Sequence, residues 1–97
     1  MTWGVQNTQA EDDEQIEYAT KRGVYFIDTA EMYPVPPSEE TYGDTERCIG
    51  NWLSRHPEQR EKLIIASKIA GPGFTYIRDN ALISSQTIGS ALDDSLK

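Results

Sequence analysis

Basic residues are scarce in this sequence: 97 residues carry 9 Lys and Arg against 16 Asp and Glu, a formal net charge of -7. Sequence-independent binding to nucleic acid needs Lys and Arg to neutralise phosphates, so this balance argues against a nucleic-acid partner, and no basic stripe is visible. Long apolar runs are missing too. The longest falls far short of the roughly 20 residues that span a bilayer, and the N-terminus has neither a basic flank nor a signal-type apolar core, so no membrane partner and a cytoplasmic location are expected. Cysteine occurs once, at Cys48. It makes no internal disulfide and offers no metal-ligand spacing, so it reads as a small buried apolar residue and no metal is expected. What remains is an ordinary globular composition, 37% hydrophobic and 26% charged, with a mean hydropathy of -0.61 on the polar side.

Helix and strand signals alternate along the chain. Thr8 and Glu11 have capping-box spacing, acidic residues crowd the turn that follows, and Lys21-Arg22-Gly23 closes the helix. The run Glu11-Asp12-Asp13-Glu14 reads as a solvated face that complements the helix dipole. Val24 to Ile27 is a short apolar strand, and Pro34-Val-Pro-Pro-Ser38 beyond it excludes regular structure. A second helix, from Asp44 or Thr45 to about Arg55, brings Cys48, Ile49, Trp52 and Leu53 to one face, and His56-Pro57 ends it. Leu63 to Ser67 is the next strand, apolar enough to be buried on both faces. After a long stretch containing Gly71-Pro-Gly73, read as a turn, a third helical pattern has Ile88, Ala91, Leu92, Ser95 and Leu96 on one face. This order implies an α/β fold with parallel strands and right-handed crossovers. The helix-to-strand turns are compact, whereas the strand-to-helix loops, Pro34 to Gly43 and Ile69 to Ser84, are long, so length is invested on the side where Asp28, Tyr33 and Lys68 emerge.

Those three residues carry the chemistry. A tyrosine with a pKa near 10 holds its proton too tightly to be a good acid at neutral pH. A lysine ammonium beside it stabilises the phenolate, and an aspartate behind the lysine fixes the charge. Tyr33 could then protonate a carbonyl oxygen while a hydride reaches the carbon, and a nicotinamide cofactor would have to supply that hydride.

Phe26-Ile-Asp-Thr-Ala-Glu-Met-Tyr-Pro-Val-Pro-Pro37, Thr45-Glu46 with Ile49-Gly-Asn-Trp-Leu53, and Lys62-Leu-Ile-Ile-Ala-Ser-Lys68 resemble, in order and spacing, the aldo-keto reductases, and among them the Tas-type branch with its extended Tyr-Pro-Val-Pro-Pro loop. The resemblance implies an NADPH-dependent (β/α)₈ TIM barrel that reduces aldehydes and ketones, a small-molecule carbonyl substrate, and Asp28, Tyr33 and Lys68 as catalytic residues. Asp28 would also approach the nicotinamide ribose. Trp3, in Met1-Thr-Trp-Gly4, falls where the family's first strand ends, and is either a core aromatic or a ring lining the substrate pocket. The family's fourth catalytic member, a histidine at the end of strand four, has no counterpart, because the lone His56 lies at the end of the second helix. A whole barrel takes roughly 250 residues. Residues 1–97 are therefore expected to be the N-terminal portion of one, from the end of strand 1 to helix 3: a partial, unclosed barrel of parallel strands with outer helices, inactive alone. The rival reading is a small interaction protein in which the three residues are relics of a reductase.

Overall fold

Thr8 opens the first helix in the computed structural model, which describes residues 1–97. Its side chain accepts from the Glu11 N–H at 3.3 Å while Glu11 accepts from the Thr8 N–H at 2.7 Å. Two of the donors that every helix start leaves unpaired are thereby satisfied. This helix, α1, spans Gln9–Lys21, and Gly23 with φ 84 turns the chain into β1, Phe26–Asp28. Helix α2, Asp44–Arg55, follows the proline-rich loop, in which the Tyr33–Pro34 and Val35–Pro36 bonds are cis. A 3₁₀ segment, Pro57–Lys62, leads to β2, Ile64–Ala66, and a left-handed turn, Arg78–Asn80, precedes helix α3, Ser85–Ser95.

The strands form one parallel pair in the register Phe26 to Ile64, Ile27 to Ile65 and Asp28 to Ala66. Side chains alternate across a strand, so this register sorts the six residues onto two faces. Ile27 and Ile65 pack against the core of Ile16, Trp52 and Leu63, which α1, α2 and the start of β2 supply. Phe26 and Ile64 take the other face and are 59% and 62% exposed. The expectation that the second strand is buried on both faces therefore fails. Its apolar character is right for a parallel sheet, but helices cover one face only and no element of these residues lies on the other.

Two further expectations are corrected. Asp12 does not belong to a solvated acidic face: it is 0% exposed. It stands four residues before Ile16, so the helical repeat turns both toward α2. On α3 only Ala91 is buried and Ser95 half-buried, while Ile88, Leu92 and Leu96 are exposed. That helix is attached by polar contacts, with the Ser95 hydroxyl donating to the Glu46 carboxylate at 2.9 Å. Its larger apolar side chains, Ile88, Leu92 and Leu96, are left uncovered by this chain.

Candidate active site at the open end of the strand pair

Backbone pairing continues past the ends of both strands. The Thr29 N–H donates to the Ala66 carbonyl at 2.8 Å and the Glu31 N–H to the Lys68 carbonyl at 3.1 Å. These bonds carry the register two residues further and bring the segments after β1 and β2 to the same end of the pair. Asp28 is on the face away from the helices, with Phe26 and Ile64.

The Lys68 ammonium donates to Asp28 Oδ1 and to the Thr29 carbonyl, both at 2.8 Å. It stands 5.3 Å from the centre of the Tyr33 ring. The hydrogen bond to Asp28, with a smaller contribution from the Tyr33 phenol, raises the lysine above its ordinary value and keeps it charged. Lysine and aspartate side chains are 50% and 60% exposed, so the site opens on the uncovered face of the sheet. Tyr33 is half-buried and held through its backbone, its N–H donating to Ala30 and its carbonyl accepting from Gly43, at 3.1 and 3.0 Å. The second bond ties the tyrosine to the start of α2, so the loop from Pro34 closes on itself.

Asp28, Tyr33 and Lys68 are thus neighbours at one end of the strand pair. Trp3 is not brought to them. Its ring packs against the Ile16, Trp52 and Leu63 cluster, its indole N–H donates to Gln15 at 3.0 Å, and its carbonyl accepts from Thr45 at 2.6 Å. It borders a cleft of about 280 Å³ between α1 and β1, which none of the three lines. His56 caps the far end of α2, stacked on Trp52 with ring centres 4.4 Å apart.

Two further carboxylates contact the segment around Lys68. Glu46 of α2 accepts from the Ser67 hydroxyl, immediately before the lysine. Glu31, buried in the loop after β1, accepts from the Ala70 N–H at 3.0 Å and from the Arg78 guanidinium. The available signal for the second was faint: one acid among the uncharged residues Thr29 to Tyr33, and one basic residue, Arg78, between Ile69 and Ser84.

Protein tas of Escherichia coli is 50% identical over 100 aligned positions, which take in all of this chain and 29% of that protein. A 6-dehydroglucose reductase of Novosphingobium aromaticivorans is 33% identical over 92% of this chain and 28% of its own length. The oxidoreductase YrpG of Bacillus subtilis, itself uncharacterized, is 31% identical over 74% of this chain and 21% of its own. The chain spans under a third of the length of these relatives. The profile of the Aldo/keto reductase family, which implies a (β/α)₈ barrel, matches residues 1–97 from end to end, and the chain belongs to that family.

Proposed function

We propose that the complete gene product is an NADPH-dependent oxidoreductase that reduces aldehydes or ketones to alcohols, with Tyr33 as proton donor. Residues 1–97 would contribute the first part of its barrel. The observation that carries this reading is the Lys68 ammonium, which lies 2.8 Å from Asp28 Oδ1 and 5.3 Å from the centre of the Tyr33 ring. A fixed positive charge beside a phenol stabilises its anion and makes the neutral phenol a better acid. The Asp28 carboxylate and the Thr29 carbonyl hold that charge in place.

The residues fit a nicotinamide nucleotide as well. Asp28 spends Oδ1 on the lysine, and the side chain is 60% exposed, so its other oxygen is free to accept from the ribose hydroxyls. When bound, the cofactor would supply the hydride. Tyr33 would place its proton on the carbonyl oxygen as the carbon is reduced, and Lys68 would remain charged throughout. Substitution by Tyr33→Phe in the complete gene product should lower carbonyl reduction by about 100-fold or more, the range for losing a general acid, and leave NADPH affinity within about twofold. A large loss of NADPH binding would instead make the tyrosine a binding group.

A further inference from the structure

Glu31 has no part in the chemistry just described, yet it grips the backbone on both sides of the residue after Lys68. Its N–H donates to the Lys68 carbonyl at 3.1 Å. Its Oε1 accepts from the Ala70 N–H at 3.0 Å and from Nη2 of Arg78. The Glu31 and Arg78 side chains are only 9% and 18% exposed, so the ion pair is largely screened from water. Removing either partner leaves the other charge poorly solvated.

The turn that delivers Arg78 is itself costly. Arg78, Asp79 and Asn80 have φ of 48, 53 and 62, three successive L-residues in the left-handed region. Such a conformation persists only where surrounding contacts over-determine it. Here those contacts are the buried Ile77 side chain, the Asn80 side chain accepting from the Gly73 N–H, and the bond from Arg78 to Glu31. Of these hydrogen bonds, the one to Glu31 crosses to the loop that carries Tyr33.

We propose that Glu31 is a positioning residue: its buried carboxylate, paired with Arg78, fixes the backbone C-terminal to Lys68 and thereby holds the ammonium at Asp28 and Tyr33. The proposal rests on the reading of Tyr33 as proton donor. Lysine is a long, flexible side chain, and this one is half exposed, so its head group stays in place only if the backbone it leaves from does. Displacement by about 1 Å at a catalytic site can cost ~100-fold.

The test compares wild type, Glu31→Ala, Glu31→Gln, Arg78→Met and Tyr33→Phe in the complete gene product, measuring kcat per folded molecule and the NADPH KM. Glu31→Ala should lower kcat by about 10- to 100-fold with the NADPH KM within about twofold, because orientation is lost while binding groups stay. Glu31→Gln keeps an oxygen for the Ala70 N–H and should recover most of the rate. Arg78→Met, which leaves the buried carboxylate without its cation, should lower kcat in the same direction, by less. Wild-type kcat per folded molecule in Arg78→Met would overturn the proposal whether or not Glu31→Ala folds. Wild-type kcat in Tyr33→Phe would instead defeat the catalytic reading, and the proposal with it.

Discussion

Replacing Asp12 by asparagine should stabilise the protein at neutral pH, against the usual result of removing an acid from the first turn of a helix. A carboxylate there gains about 0.3–1 kcal/mol from the helix dipole. The site, however, excludes solvent: Asp12 is 0% exposed, and neither carboxylate oxygen has a well-formed hydrogen bond, the weakly donating Cys48 thiol standing beside it. Burial raises its pKa above 3.8, and the charges of Asp13 and Glu11 add to the rise, while the Cys48 thiol opposes it. The thiol answers in kind, pushed up to about 12 by burial first and by the carboxylate second. A buried group left unsatisfied costs about 1–3 kcal/mol, and more when charged, so burial outweighs the dipole.

The sign with pH follows from the raised pKa. The contribution of neutral Asp12 is fully present below the unfolded value of 3.8 and is lost as pH rises through the higher folded value. Asp12→Asn, which cannot ionise, escapes that loss. Thermal unfolding of the complete gene product from pH 4 to pH 7 should show the variant ahead by about 1–2 kcal/mol at pH 7, the burial cost less the dipole term, and the gap closing toward pH 4. A variant less stable than wild type at pH 7, or a gap constant with pH, would refute the reasoning.

Gly4 has φ 102, and a Cβ there would meet Asp44 Cβ at 2.8 Å, so Gly4→Ala should cost about 1–3 kcal/mol in urea denaturation, and an unchanged midpoint would count against the close packing of this turn on α2. The 97-residue polypeptide by itself should associate at micromolar concentration, because Phe26, Ile64, Leu82 and Leu96 are 59%, 62%, 73% and 73% exposed; sedimentation as a monomer at all concentrations would contradict this. The same polypeptide should not oxidise NADPH in the presence of an aromatic aldehyde, and turnover that disappears in Tyr33→Phe would show that these residues assemble a working site unaided.

How much could be read from the sequence depended on how local each signal was. Asp28 and Lys68 were legible because each follows an apolar run of β-forming residues, and parallel strands bring such ends together. Thr8 and Glu11 specify a helix start within four residues. Asp12 was misread because composition was weighed before phase: an acidic run suggests solvent, yet the four-residue spacing from Ile16 puts one of its members inside. The stripe on α3 was the opposite case, a sound periodicity of which only Ala91 finds cover among these residues. Glu31 was out of reach, since its partners Ala70 and Arg78 lie 39 and 47 positions away and only the fold brings them together.

Register is what joins the fold to the chemistry. In a strand, a slip of one residue sends every side chain to the opposite face. With Ile27 and Ile65 against Ile16 and Trp52, Asp28 must point away from the helices. Shifted by one, the pairing would press the Asp28 carboxylate onto the apolar core and turn Ile27 out to the open face. That arrangement would bury a charge with no partner, at a cost of several kcal/mol, and would also forfeit the burial of an isoleucine. The apolar residues alternating with Asp28 therefore do more than stabilise the sheet. They select the one register in which the carboxylate, the phenol and the ammonium share a face, and a polar substitution at Ile27 would be expected to loosen the site before it unfolds the protein.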